Sequence, residues 1–290
     1  MSNATPKSAL PEGGYTVQQQ REMLDLDHYL QLRIRPPGRP VMLQNWRDLS
    51  FLHLRYEPAE IQSLLPKELT VDTYPDESGK EWAWLAVVPF WMRDIRLARL
   101  PVVPGTHTFC ETNVRTYVHH NGDRPGVWFF SLDAANAFAC HVARRFFRLP
   151  YYFAEMQTSR SGECVSYESQ RKWLTTGSSG SNEGKVRLQV EINGPVQIAT
   201  PGSLEFFLAE RYLLYSQSPL SLTGKPRTGT TTSQLFSGLV HHPPYPLQAA
   251  SASGSHSMLT PLGLENRAEW DHILFSPGVD VEVFPLRPVN

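Results

Sequence analysis

The sequence predicts one mainly β domain, an antiparallel barrel or sandwich with a few short peripheral helices. Short runs of alternating apolar and polar residues recur along the chain, and its 24 prolines and 19 glycines separate them. Only a few short segments have the helical period, and no repeat of fixed length is visible. All-β barrels often use about 200 to 250 residues as a single domain, so 290 residues favour one domain over two.

Residues 1–40 differ in composition from the rest and are predicted to be an N-terminal extension, partly flexible. Within it, Gln18–Ile34 carries apolar residues at helical spacing and predicts one helix. The proline-rich stretch Arg35–Pro40 then ends that helix. Residues 41–290 form the predicted single domain.

Strands and short helices alternate through the domain. From Trp46 the pattern has period two up to Tyr56, and Pro58 then opens a short helix that ends before Pro66. The further predicted strands are Leu69–Tyr74, Glu81–Phe90, His107–Val118, Gly126–Leu132, Tyr151–Ser159 and Glu163–Trp173. Two more helices are predicted at Ala134–Phe147 and Leu204–Ala209, the second capped by Ser203, and Thr175–Gly184 reads as a loop.

Charge and cysteine content exclude several classes of protein. Lys plus Arg total 27 against 28 Asp plus Glu, a net charge of −1 with no basic cluster, so we expect neither a nucleic-acid nor a membrane partner. Three widely spaced cysteines support neither a disulfide framework nor a zinc site, and free thiols suit a cytoplasmic protein. Met1–Tyr15 lacks the apolar core of a secretory signal. We predict no metal and no cofactor, because no nucleotide-binding or metal-ligand motif is present.

Three stretches place charged or phenolic groups within otherwise apolar runs. They are Trp46-Arg47-Asp48, the segment Phe109–Arg115, and Arg144–Tyr152, where a helix ends and a strand begins. The chain resembles the YqjF-like family, a branch of the acetoacetate decarboxylase-like superfamily, over residues 41–287. The stretches that carry the resemblance are CETNVRTYV, GVWFFSLDA, ARRFFRLPYYFAEM, FLAERYLLYS, HHPPYPLQAA and LFSPGVDVEV.

The resemblance implies an acetoacetate decarboxylase-like antiparallel β-barrel and a site at matching positions. In the decarboxylases an Arg on the first barrel strand handles the substrate carboxylate, and Arg47 stands in the similar position. Their essential Glu follows an aromatic residue, as Glu111 follows Phe109. Their catalytic lysine pair is replaced here by Tyr151 and Tyr152. A phenol cannot form an imine, so the resemblance does not extend to Schiff-base decarboxylation.

Each of these residues also has a purely structural interpretation. Arg47 could be a surface cation at a strand end. Glu111 could face water, or pair with Arg47 or Arg115, because an unpaired buried carboxylate is costly. Tyr151 and Tyr152 are neighbours on a strand, so only one of them can face inward. The Phe129-Phe130 and Phe146-Phe147 pairs are expected in the core rather than at a ligand.

Two functions remain open at this point. The first is a binding module that holds a small carboxylate or carbonyl metabolite, with Arg47, Arg115 and Tyr152 as substrate-binding residues. The second is an enzyme of altered mechanism, performing enolisation, hydration or lyase chemistry on a keto acid. In that enzyme Glu111 would transfer a proton and Tyr151 would donate a hydrogen bond to a carbonyl oxygen. Either function leaves a homo-oligomer open.

Overall fold

The computed structural model describes residues 26–99, 107–172, 183–218 and 234–289. The helices are α1 (26–33), α2 (Pro58–Gln62), α3 (Ala137–Phe146) and α4 (Leu204–Ala209), with a 3₁₀ turn at Thr260–Leu262. The strands are β1 (Met42–Tyr56), β2 (Thr70–Val71), β3 (Thr73–Pro75), β4 (Glu81–Leu97), β5 (Phe109–His120), β6 (Asp123–Ala134), β7 (Tyr151–Ser161), β8 (Cys164–Arg171), β9 (Lys185–Ile192), β10 (Gln197–Ile198), β11 (Leu213–Ser218), β12 (Gln234–His241), β13 (Pro246–His256), β14 (His272–Val283) and β15 (Arg287–Pro288).

Seven strands form a closed ring. The hydrogen-bonded order is β6-β11-β12-β14-β1-β4-β5, and β5 pairs again with β6. Four further strands connect two strands of this ring: β13 pairs with β14, and the order then continues through β9 and β8 to β7, which pairs with β6. We call this series of strands the second circuit. Closure removes unpaired strand edges, which is how a long antiparallel sheet avoids exposing its backbone. The prediction of a mainly β fold with few helices is confirmed.

Two of the strand pairings are parallel, a feature that the alternation pattern did not indicate. β6 pairs in parallel with β7 and with β11. A parallel neighbour needs a crossover connection, and α3 supplies it between β6 and β7. The N-cap of the helix is Asn136, whose side chain accepts a hydrogen bond from the Ala139 amide. It ends before Arg148, which has the left-handed φ of 56° and turns the chain into β7.

The hydrophobic core has two large parts that match the two circuits. One part surrounds the interior of the seven-stranded ring and includes Phe51, Phe90 and Tyr245. The other lies against β8 and β9, whose strict alternation buries every second side chain. Helix α1 packs on the first part through Leu26, Tyr29 and Leu30. In the described part of the chain, no helix has the length and apolarity needed to cross a membrane.

The predicted elements correspond closely to the observed ones, with shifted ends. Helix α4 has the predicted bounds, and the Ser203 side chain accepts from the Phe206 amide as expected for a cap. The predicted helix Gln18–Ile34 is helical at 26–33, and its first part lies outside the described residues. Most of the predicted loop Thr175–Gly184 also lies outside them. All three cysteines are free.

Candidate functional site

The interior of the seven-stranded ring contains a cavity of about 460 Å³, which we call the ring cavity. Every strand of the ring and helix α3 contribute side chains to its wall. Such a volume lies in the range of about 300–1,000 Å³ that is typical of small-molecule sites. Most of the lining is apolar, and three of its polar side chains lie on one strand.

That strand is β5, and its inward face carries the site. Because side chains alternate along a strand, Phe109, Glu111, Asn113 and Arg115 all point into the ring cavity. All four are buried. The CETNVRTYV stretch therefore places a carboxyl, an amide and a guanidinium in one row.

Glu111 is paired with a tyrosine rather than with a cation. It is 2% exposed, and the Tyr151 hydroxyl donates a hydrogen bond to its Oε2 at 2.9 Å. Burial raises the pKa of Glu111 from 4.5 to about 8, although the hydrogen bonds from Tyr151 and Asn113 act in the opposite direction. Glu111 is therefore mostly protonated at neutral pH. Neither of the predicted cationic partners reaches it: among the described residues, no ion pair includes Glu111 or Arg115.

Tyr151 is the member of the tyrosine pair that faces the cavity. It opens β7 directly after the α3 crossover, and Arg144 Nη1 fixes its backbone by donating to its carbonyl oxygen at 2.7 Å. Burial and the nearby Glu111 raise the pKa of its hydroxyl well above the ordinary value, so it remains a donor. Cys140, a buried residue of α3, stays a thiol because burial raises its pKa to about 12.

Tyr152 points away from the cavity, which corrects its predicted role in substrate binding. Its ring lies 4.1 Å from the Arg171 guanidinium, which forms a two-pronged ion pair with Asp133. In the parallel register Asp133 lies beside Tyr152, and Leu132 lies beside Tyr151. The period of two therefore sends Leu132 and Tyr151 to the cavity and the other two residues outward.

Arg47 does not join Glu111 and Tyr151, so the predicted convergence of these three residues is wrong. Its guanidinium donates to the carbonyl oxygens of Trp46 and Val279 and pairs with Asp280 on the outside of the ring. The cause is a β-bulge at Asp48, which has φ 49° and lies where the register of β1 against β4 shifts by one residue. Before the bulge even-numbered residues such as Trp46 face the cavity, and after it Leu49 does, so Arg47 faces outward.

Arg115 faces the ring cavity, the position that was predicted for Arg47. It is 7% exposed, its Nη2 donates to the Leu208 carbonyl oxygen at 3.4 Å, and its Nε has no hydrogen-bond partner. Its charge is balanced by no carboxylate among the described residues. A second buried guanidinium, Arg211, also lines the cavity and is held by Asp72 at 2.7 Å. Both guanidinium groups lie over the ring of Tyr117, at 5.8 Å and 4.9 Å from its centre.

Sequence reasoning missed Asn113 and Arg211 as cavity residues. Asn113 could have been found, because it lies between Glu111 and Arg115 on the same strand face. Its Oδ1 is buried without a hydrogen-bond partner. Arg211 lies in the FLAERYLLYS stretch, but no local pattern distinguishes an inward arginine after a short helix from an exposed one. The Phe129, Phe146 and Phe147 side chains line the cavity, whereas core packing was expected for them.

A model of the DUF2071 family, described as an uncharacterized conserved protein, matches residues 43–280. The chain belongs to this family. It is also similar to the uncharacterized protein YqjF of Bacillus subtilis (strain 168), with 34% identity over 256 residues, 87% of this chain and 94% of that protein. The predicted membership of a YqjF-like group is confirmed.

Solved structures with the same fold are acetoacetate decarboxylase-like. An acetoacetate decarboxylase-like enzyme from Sphingomonas wittichii RW1 superposes with a TM-score of 0.56 at 14% identity, covering 89% of this chain and 97% of that one. An acetoacetate decarboxylase gives 0.57 at 13% identity over 91% and 97% of the two chains. The enduracididine biosynthesis enzyme MppR, complexed with pyruvate, gives 0.56 at 11% identity over 89% and 93%. At these identities the likeness establishes the fold alone.

Proposed function

We propose that the chain binds a small carboxylate or carbonyl metabolite in the ring cavity, with Arg115 as the anion-binding residue. One observation carries the proposal: a buried guanidinium faces a cavity and no carboxylate of the described residues neutralises it. A buried charge without a partner is costly, so such a site is stabilised by an anion. A guanidinium also matches the geometry of a carboxylate through two parallel hydrogen bonds.

The charges around the cavity support an anionic ligand. Asp72 neutralises Arg211, and Glu111 is mostly uncharged at neutral pH because its pKa is about 8. Arg115 therefore leaves a net positive charge at this end of the cavity. A protein of the same fold, MppR, has been solved with pyruvate, which supports a carboxylate with a carbonyl group as the ligand class.

Isothermal titration calorimetry on the wild type and on Arg115→Met tests this function. A panel of carboxylates and keto acids should bind the wild type, and the variant should lose about tenfold or more in affinity, since a charged hydrogen bond contributes about 1.5–3 kcal/mol. Arg47→Met, on the outside of the ring, is the matched control and should bind like the wild type. Equal affinity of Arg115→Met and the wild type would refute the proposal.

A second candidate is proton transfer on the bound ligand, favoured by the Glu111–Tyr151 pair. A carboxyl with a pKa of about 8 is suited to exchange a proton near neutral pH, and the Tyr151 hydroxyl can polarise a carbonyl oxygen. In D₂O a bound keto acid would then exchange hydrogen at the carbon next to its carbonyl, and Glu111→Gln would abolish the exchange without abolishing binding. Binding without exchange in the wild type would exclude this candidate and leave the binding function.

A further inference from the structure

We infer that the ligand is an amphipathic carboxylate with an extended apolar tail, its carboxylate on Arg115 and its tail running past helix α3 to solvent. This inference rests on the proposed function and specifies the chemical class of the ligand. It follows from the direction, length and opening of the ring cavity.

The cavity is polar at one end and apolar toward the other. On β5 the inward row runs from Arg115 through Asn113 and Glu111 to Phe109. On the neighbouring strand β4, Phe90 lies opposite Glu111 and Met92 lies opposite Phe109. β4 continues past Met92 to Ile95 and Leu97, which also line the cavity. Along this direction the wall therefore changes from the guanidinium groups of Arg115 and Arg211 to mainly apolar side chains, with Arg96 as a charged residue near the mouth.

The length of this row exceeds what a compact metabolite can fill. Arg115 and Phe109 are six residues apart on β5, which corresponds to about 20 Å at about 3.3 Å per residue. The cavity volume of about 460 Å³ would hold about fifteen water molecules at about 30 Å³ each. A ligand as small as pyruvate, bound at Arg115, would leave most of the apolar wall in contact with water.

The apolar end opens to solvent under α3. Phe138, Phe146 and Leu97 line the cavity and yet are 65%, 67% and 48% exposed, so they lie where the cavity meets the surface. β6 runs antiparallel to β5 and ends at Ala134 opposite Glu111, which places α3 at the end distant from Arg115. Exposed aromatic side chains around an opening would be covered by the tail of a ligand.

The opposite orientation of the ligand is disfavoured. Arg96 lines the cavity near its mouth and could bind a carboxylate there. Such a ligand would push its apolar tail toward Arg115 and Arg211, whose buried charge would then lose any remaining water. The carboxylate is therefore placed on Arg115, and Arg96→Met becomes a control.

A chain-length series tests the inference directly. Calorimetric titration with acetate, butyrate, hexanoate, octanoate and decanoate, each below its micelle-forming concentration, should show affinity that rises roughly fourfold per methylene as apolar area is buried. Octanol, which has the same tail without the charge, should bind much more weakly than octanoate. Arg115→Met should remove this preference for the carboxylate, and Arg96→Met should keep it.

Two alanines of α3 provide matched variants. Ala143 lines the cavity, whereas Ala137 on the same helix does not. Ala143→Leu should reduce the affinity for octanoate about tenfold by filling the tail path, while leaving butyrate and acetate nearly unchanged, and Ala137→Leu should behave like the wild type. Circular dichroism checks that each variant is folded.

The outcomes separate this inference from the proposed function. Carboxylates that bind through Arg115 with affinity independent of chain length would refute the tail and leave the proposed function standing. Octanol binding as tightly as octanoate, or no binding by any member, would refute the inference, whereas the proposed function is refuted when Arg115→Met binds the keto-acid panel as tightly as the wild type does. If binding depends on chain length but Ala143→Leu does not change it, the tail lies elsewhere and the inference is refuted. The inference is also refuted if Arg96→Met loses the preference for the carboxylate and Arg115→Met keeps it.

Discussion

Glu111 shows how the loss of water changes the acidity of a single buried residue. On the surface its carboxyl would be ionised at neutral pH. Inside the ring, burial raises its pKa to about 8, and only the hydrogen bonds from Tyr151 and Asn113 keep the shift from being larger. The residue is therefore a neutral acid that can lose its proton within a pH unit or so of neutrality.

Glu111→Gln is expected to remove a pH-dependent loss of stability. The unfolded carboxyl ionises near 4.5, while the folded one keeps its proton up to about pH 8. Between these values the unfolded state binds fewer protons, so the wild type becomes less stable as pH rises. Glutamine does not titrate, so the variant lacks this loss of stability. The difference in free energy of unfolding, variant minus wild type, should therefore be a few kcal/mol larger at pH 8 than at pH 4.5.

Urea unfolding at both pH values measures this difference. Glu191→Gln, the same substitution at an exposed position of β9, should follow the wild-type pH dependence. A Glu111→Gln profile parallel to that of the wild type would show that Glu111 ionises in the folded protein as it does in water.

Tyr151→Lys is expected to place an amine at the cavity wall but to trap an imine poorly. The lysine would lie against Glu111 and take the proton of its carboxyl group, because the resulting ion pair stabilises both charges, and the charged ammonium cannot attack a carbonyl group. Adding Glu111→Gln should lower the pKa of this lysine by removing that partner. Borohydride reduction in the presence of acetoacetate, followed by intact-mass measurement, should show more adduct in the double variant.

Tyr152→Lys is the control for that experiment, since its side chain would point to the outer face beside Arg171. If Tyr152→Lys forms as much reduced adduct as the double variant, imine formation does not depend on a lysine that faces the cavity.

At the scale of the elements, the bulge in β1 turns the Arg47 side chain away from the ring cavity. Asp48 lies where the register of β1 against β4 shifts, and the preceding residue, Arg47, is paired with Gly278 of β14, which has φ 133°. A Cβ on Gly278 would lie 2.1 Å from the Trp46 carbonyl oxygen and 2.8 Å from Arg47 Cδ. The close approach of the two strands at this point therefore requires glycine.

Gly278→Ala is expected to destabilise the protein by at least about 2 kcal/mol, because backbone must move to admit the methyl group. Gly79→Ala is the matched control: its φ is 81°, but nothing lies within 4 Å of the new Cβ. Gly79→Ala should lower the free energy of unfolding by only about 1–2 kcal/mol, the strain of a left-handed backbone at a residue with a Cβ. Thermal unfolding of both variants measures the difference, and equal losses would show that the steric contact is relieved without cost.

At the scale of the whole molecule, a buried ion pair joins the ring to the strands beside it. Asp133 on β6 and Arg171 on β8 are 0% and 6% exposed in their side chains, with Nη2 2.6 Å from Oδ1. Tyr152 on β7 covers the guanidinium. Since β6 belongs to the ring and β8 to the second circuit, the pair fixes one circuit against the other.

Arg171→Met is expected to cost about 3–5 kcal/mol, because it leaves Asp133 buried without its partner. The double variant Asp133→Asn with Arg171→Met should recover part of this loss, since it removes both charges. Arg187→Met breaks the exposed pair with Glu168 on neighbouring strands and should change stability little. Urea unfolding compares the variants, and a double variant no more stable than Arg171→Met would show that lost packing causes the effect.

The sequence by itself determined the β-rich class and most element positions. These depend on local patterns: period two along β5, proline boundaries, and capping at Ser203. The replacement of the lysine pair by Tyr151 and Tyr152 was likewise visible in the sequence, as was the rule that only one of them faces inward.

The tertiary structure decided which side chains meet. A bulge shifts the alternation by one residue, and the shift that turned Arg47 outward depends on how β4 pairs with β1. The parallel register of β6 and β7 selected Tyr151 over Tyr152. Arg211 reached the cavity only because β11 closes the ring beside β6. Such choices depend on pairing between distant segments, which local sequence patterns do not encode.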